Sequence, residues 1–184
     1  MFGVISRHYG AAAADAASFY QNARVMAGPG YLSVPGVDLD PAYAQRVMNS
    51  MSAGTFFHQV KQVDSQEASS IANRALQGAG TRLVLQGSRD TVTKAAIADP
   101  DARGWERVIE PGSCGFCSML AGRGGVYTSA TVQFRAHDHC RCLAEPVWEG
   151  KGNNQDLSKQ WAEVTRGKHG AAARAAWNKH WESQ

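Results

Sequence analysis

The chain has 184 residues, 43% of them hydrophobic and 19% charged, which is enough apolar side chain to bury a core and too much for wholesale disorder. The formal net charge of +3 is too small to mark a nucleic-acid-binding protein by itself, and no run of about 18 apolar residues offers a membrane span. Charge is uneven along the chain, about +1 over residues 1–100, −1 over 101–150 and +3 over 151–184. The first residues lack the basic region and apolar run of a secretory signal, so the four cysteines are read against a reducing cytoplasm.

The alanine-rich stretch 11–27 predicts a helix whose apolar stripe is Ala12, Ala16, Phe19, Ala23 and Met26, three or four apart. Gly28-Pro29-Gly30 stops it. Asp40-Pro41 is a helix start, because the Asp side chain caps free amides and proline costs nothing at the first helical position. Tyr43, Ala44, Val47, Met48 and Met51 supply the inward face, Gly54 interrupts, and Phe56, Phe57 and Val60 follow as core or interface packing. Asp64 and Glu67 form a capping box for a helix through about Gln77, with Ile71, Ala72, Ala75, Leu76 and Ala79 inward and Gly78-Ala79-Gly80 ending it. Residues 82–86 fit a helical turn or a short strand. Asp90 is placed to cap a further helix through Ala98, broken by Asp99-Pro100.

From Gly104 the pattern changes. Residues 105–109 alternate as a strand, 117–121 fit one helical turn, 122–125 a tight turn, 126–128 and 131–134 a pair of short strands, and 143–148 a last strand. Residues 150–154 read as a linker or turn. Beyond it, 156–164 and 171–181 read as two helices with Leu157, Trp161 and Val164 on one and Ala173, Trp177 and Trp181 on the other. Three tryptophans in such a tail call either for packing back on the chain's own core or for a partner. The fold class is α+β: a mainly helical part over 1–100, a small β-rich Cys/His module over 101–150 stapled by zinc, and a basic, tryptophan-containing helical tail over 151–184.

The module holds every cysteine. Cys114 and Cys117 form a C-x2-C knuckle, and His137, Cys140 and Cys142 follow as H-x2-C-x-C, with His139 as a weaker candidate. Two short clusters of soft ligands joined by a loop suit a tetrahedral zinc ion, since each tight turn brings two donors to one metal. The donors outnumber the four positions, so the set stays open beyond Cys114 and Cys117. Two disulfides, buried free thiols or a redox C-x2-C are the competing readings. No H-E-x2-H or deaminase signature is present. No G-x-S-x-G elbow supports assembling Ser118 or Ser129 with His58 and Asp138 as a serine hydrolase. The glycines around Arg123 lack the Walker lysine and hydroxyl.

Cys114-Gly-Phe-Cys117-Ser-Met-Leu-Ala-Gly-Arg123-Gly124, Val126-Tyr127-Thr-Ser129, His137-Asp-His-Cys140-Arg141-Cys142 and Pro146-Val-Trp148 together resemble the core of the Mu F-like phage head-morphogenesis family, in its actinobacteriophage form. Arg89-Asp-Thr and Gly104-Trp105-Glu-Arg107-Val108 extend the likeness to about residues 88–148. The resemblance implies a minor capsid protein in few copies, assembled in the bacterial host cytoplasm and placed in the virion at the inner head or portal. Its implied partners are portal or capsid proteins, with no membrane. Some relatives carry the label of capsid maturation protease, which nothing in the residue chemistry of this chain supports.

Arg123, Arg135 and Arg141, with Arg107, are candidates to meet DNA phosphate or portal carboxylates. In the tail, Lys159, Arg166, Lys168, Arg174 and Lys179 are interleaved with tryptophans. That spacing permits backbone contact with packaged DNA but cannot specify a base sequence. Solvated helix faces explain the same charges, and a free zinc-bearing DNA-binding protein is the third functional reading after assembly factor and hydrolase.

Overall fold

The computed structural model describes residues 2–110, 113–125, 127–128, 133–149 and 154–183. Its helices are α1 (Phe2–Met26), α2 (Pro41–Asn49), α3 (Thr55–Gln59), α4 (Ser65–Ala98), α5 (Gly115–Ala121), α6 (Gln155–Val164) and α7 (Gly170–Glu182), with a π-helical turn, Ser50–Gly54, between α2 and α3. Two strands, β1 (Gly104–Val108) and β2 (Leu143–Val147), pair antiparallel with Gly104 opposite Val147 and Val108 opposite Leu143. The architecture is α+β: a helical N-terminal part, a two-stranded sheet beside a cysteine cluster, and C-terminal helices. Among the described residues no helix is long and apolar enough to cross a membrane.

α1 begins well before residue 11, and its buried stripe is Ile5, Tyr9, Ala13, Ala16, Ala17, Tyr20 and Arg24. Of the stripe expected from alanine spacing, Phe19 is 45% and Met26 88% exposed. The cause lies at the far end of α4. The carboxylate of Asp99, fully buried, accepts hydrogen bonds from Tyr20 Oη (3.0 Å), Arg24 Nε (2.8 Å) and Trp148 Nε1 (3.1 Å). A buried charge must be paired, so Tyr20 and Arg24 turn inward and set the rotation of a helix whose alanines are indifferent to it.

Asp40 and Asp64 cap α2 and α4 as their sequence contexts predict, each accepting two backbone N–H groups. α4, however, does not end at Gly78-Ala79-Gly80. It runs unbroken for 34 residues, residues 82–86 are helical, and Asp90 sits mid-helix, accepting from Gln86 and Tyr9. Glycine inside a helix costs about 1 kcal/mol relative to alanine, and here the missing Cβ makes room for neighbours. A Cβ on Gly87 would stand 2.5 Å from the Tyr9 carbonyl oxygen, and one on Gly78 2.5 Å from His139 Nε2. The glycines thus let α1 and the 137–140 turn approach α4.

One core cluster draws Ala16, Tyr20, Val92, Ala96, Trp105, Cys117, Phe134, Cys142 and Ala144 together, so helical part, sheet and cysteine module share an interior. Of the expected strand pair, Val126, Thr131 and Val132 lie outside the described residues. Tyr127 bridges and stacks on Trp105 instead, with ring centroids 4.3 Å apart, and Phe134 is buried in irregular chain. Residues 150–153 of the expected linker are likewise outside; Asn154 hydrogen bonds to Glu106 Oε2 and the Arg107 carbonyl.

The tail folds back. Trp177 is fully buried and donates Nε1–H to Ser118 Oγ (2.8 Å), and Trp181 donates to the Ser113 carbonyl (2.8 Å). Trp161 packs edge-on to Trp177. α5 accepts this clamp because Gly115 and Gly122 leave space: a Cβ on the first would lie 2.7 Å from Asn178 Oδ1 and on the second 3.1 Å from Trp161 Cβ.

Two outcomes follow from these contacts. Gly87→Val should lower stability by about 1–3 kcal/mol, the range for overpacking a filled site, read as a fall in the urea midpoint at unchanged slope; an unchanged midpoint contradicts the close approach. Burial pushes the Asp99 carboxyl up, but hydrogen bonds from Arg24, the Asp101 backbone, Trp148 and Tyr20 outweigh it and bring it from 3.8 to about 2. A depressed carboxylate stabilises the fold above its unfolded value and loses that stabilisation as pH falls through its folded value, here on the order of 2 kcal/mol. The stability gap between wild type and Asp99→Asn, measured by urea unfolding, should therefore narrow from about pH 4 to about pH 2; a gap independent of pH contradicts it.

Candidate metal centre

Cys114 is the N-cap of α5, and its Sγ accepts the backbone N–H of Cys117 (3.4 Å). One turn on, Cys117 points inward and is fully buried. The second group enters on an extended approach to β2, where alternation puts Cys140 and Cys142 inside and Arg141 at the surface. The turn before it closes through Cys140 N–H to the His137 carbonyl (3.2 Å), with His139 at φ 62°.

These elements bring the sulfurs of Cys117 and Cys140 to 3.0 Å, Cys117 and Cys142 to 3.3 Å, and Cys140 and Cys142 to 2.8 Å. Such separations exceed a disulfide bond of about 2.05 Å, and all four cysteines are free. On the outer side His137 Nε2 lies 2.9 Å from Cys114 Sγ. His137 Nδ1 faces the Asp138 carbonyl at 3.1 Å. A carbonyl only accepts, so Nδ1 carries a hydrogen, and the Asp138 carbonyl together with the Cys114 sulfur raises the His137 imidazole above its ordinary pKa against the opposing effect of burial. Two triads result, Cys114–Cys117–His137 and Cys117–Cys140–Cys142, each with its donor atoms within 4.8 Å of one another. Cys117 belongs to both.

Two arginines complete the surroundings. From α4, Arg89 donates Nε–H to the Cys142 carbonyl (2.9 Å) and Nη2–H to the Cys140 carbonyl (2.8 Å). From β1, Arg107 donates Nη1–H to Cys142 Sγ (2.7 Å) and Nη2–H to the Arg135 carbonyl (2.8 Å), its guanidinium lying 3.8 Å from the Phe134 ring centroid. Hydrogen bonds from Cys117 and Cys142 hold the Cys140 thiol well below its ordinary range, whereas sharing with Cys140 and Cys142 drives Cys117 up. Three thiols this close share a negative charge but cannot all ionise unless a cation takes the place of their protons.

The donors therefore fit a metal ion: sulfur and imidazole nitrogen, with no carboxylate in either triad. With Zn–S bonds of about 2.3 Å, tetrahedral ligand sulfurs stand about 3.8 Å apart, a small expansion of the present cluster. Cys114, Cys117, His137, Cys140 and Cys142 all belong to the two triads. His139 does not, since its ring lies over Gly78.

The other sequence candidates are placed apart. Arg123, Arg135, Arg141, Lys159, Arg166, Lys168, Arg174 and Lys179 are all exposed. Lys159 pairs with Asp156, and Lys168 donates to the Val164 carbonyl at the end of α6. Arg107 is corrected from surface candidate to buried partner of the sulfurs, 2% exposed. Arg89 carried no role in the residue-level reading; its signal is a charged side chain on the helix face that also carries Val92 and Ala96. Ser118, a paper candidate for a nucleophile, is buried with its hydroxyl donating to the Gly115 carbonyl and accepting from Trp177. His58 is hydrogen bonded to Gln62, and Asp138 pairs with Arg82 at 2.7 Å; Ser129 lies outside the described residues.

A family model described as VG15 protein matches residues 2–177. The chain belongs to the VG15 protein family. No curated protein and no solved structure matches it. The match spans the helical part, the cysteine cluster and α7 as far as Trp177, so it takes in the Trp177 contact on α5 as well as the cysteines.

Because Cys117 is shared by both triads, Cys117→Ser should abolish stoichiometric metal in the purified chain, measured by elemental analysis. Metal retention in the wild type should fall as pH is lowered, because protons compete for the same thiolates. Full metal content in Cys117→Ser contradicts the shared vertex.

Proposed function

We propose that this VG15 protein is a structural component of a tailed-phage head, a minor capsid or head-morphogenesis protein that docks on the portal or inner capsid, and that its ion is a structural zinc. The observation that carries the reading is the setting of the sulfur cluster. Cys117, Cys140 and Cys142 are buried where α4, α5 and the two strands converge, with arginines beside them and no carboxylate among the donors. A catalytic zinc keeps one position for water and a nearby base; this surrounding supports an ion that ties chain segments together.

The resemblance of residues 88–148 to Mu F-like head-morphogenesis proteins supports the assembly role. Apolar side chains for docking stand at the end of α1 and after it, where Val25, Met26 and Tyr31 are 51%, 88% and 72% exposed, and on α3, where Phe57 is 64% exposed. A maturation protease finds little support, since Ser118, His58 and Asp138 are each engaged elsewhere. Contact with packaged DNA rests on scattered surface cations and stands third.

The test is made in the phage that encodes the protein. Mass spectrometry of purified particles should find it in few copies per head, and a nonsense mutation should give defective heads restored by the wild-type gene. Normal infectious particles that lack the protein would overturn the proposal.

A further inference from the structure

The two triads leave the fourth ligand contested, because Cys114 and His137 touch at the outer side of a buried three-sulfur base. Charge balance decides between them. Arg89 is fully buried and Arg107 nearly so, and guanidinium stays protonated in proteins. Among the described residues neither meets a carboxylate. Their hydrogen bonds go to carbonyls of Cys140, Cys142 and Arg135 and to the sulfurs of Cys142 and Cys117. Among the described residues Arg89 Nη1 and Arg107 Nε have no hydrogen-bond partner. Two buried positive charges beside one cluster require two negative ones, since an uncompensated buried charge is strongly unfavourable.

A divalent ion with four thiolates carries a net charge of −2 and cancels the two arginines. With three thiolates and a neutral imidazole it carries −1 and leaves one guanidinium uncompensated. We propose that the ion is held by Cys114, Cys117, Cys140 and Cys142, that Arg89 and Arg107 are the positioning residues that neutralise this dianion, and that His137 stays outside the coordination sphere. Cys114 shares only Cys117 with the buried triad, so binding draws its sulfur inward toward Cys140 and Cys142; its Sγ is already oriented by the Cys117 N–H at the start of α5, whereas His137 is exposed, with its ring 6.1 Å from that of Phe116. His137 then covers the outer sulfur and does not bind the metal. Arg141, between the last two cysteines, remains at the surface and takes no part in the neutralisation.

This rests on the metal reading above, and the experiment separates the two. X-ray absorption at the zinc edge of the full chain loaded with zinc should fit four sulfurs at about 2.3 Å with no nitrogen shell, whereas three sulfurs and one nitrogen at about 2.0 Å would overturn the assignment. His137→Ala should keep one ion per chain and the wild-type charge-transfer spectrum with cobalt(II). Cys114→Ser should change that spectrum. Arg107→Gln should weaken zinc binding by about 10- to 100-fold, as loss of outer-shell partners does, with partial recovery in Arg107→Lys, which keeps the charge; equal affinity in all three would sink the neutralising role. A wild-type chain that takes up no ion would remove the metal reading itself, a result distinct from finding nitrogen in the shell.

Discussion

Three sulfurs held within 3.3 Å of one another cannot all lose their protons in a protein interior unless a cation replaces them, and much of the chain is arranged to hold them there. Arg89 reaches from the long helix to the backbone on both sides of Arg141, and Arg107 reaches from the first strand to a sulfur. Cys117 comes from the start of a seven-residue helix too short to be stable alone. The far side of that helix is held by Trp177 and Trp181 from the tail. Remote segments therefore meet at one small cluster, and an ion bound there would link helical part, sheet and tail.

A second buried charge plays a complementary part. Asp99, where α4 gives way to the sheet, gathers Tyr20 and Arg24 from α1 and Trp148 from just beyond β2. It fixes how α1 is rotated, while the arginines at the cysteines fix how the sheet sits on α4. Both use polar contacts whose geometry is demanding, which suits a chain whose helix interface is largely alanine and glycine and offers little shape information of its own.

Sequence reasoning reached the elements whose signals are local. The Asp40 and Asp64 caps, the strands on either side of the cysteines, the short helix after Cys114 and the convergence of the two cysteine groups all follow from residue types within a few positions. It failed where distant partners decide. Gly78 and Gly80 look like a helix end until His139 and α1 are seen against the same helix. The stripe of α1 was displaced because alanine spacing cannot reveal that Asp99 draws Tyr20 and Arg24 inward. Arg107 was read as a surface cation because nothing in Gly104-Trp105-Glu-Arg107-Val108 announces a sulfur 2.7 Å away. The tail's direction was open for the same reason, since its partners Ser113 and Ser118 lie far back along the chain.

The central claim is that an ion at the cysteine cluster holds the module and the tail together, and hydrogen exchange on the zinc-loaded and zinc-stripped chain tests it most directly. With zinc removed, amides of α5, β1, β2 and α7 should lose protection together, while those in the first half of α4 and its contacts with α2 and α3 change little. Equal protection in the two states, or loss spread evenly over the chain, would contradict the account.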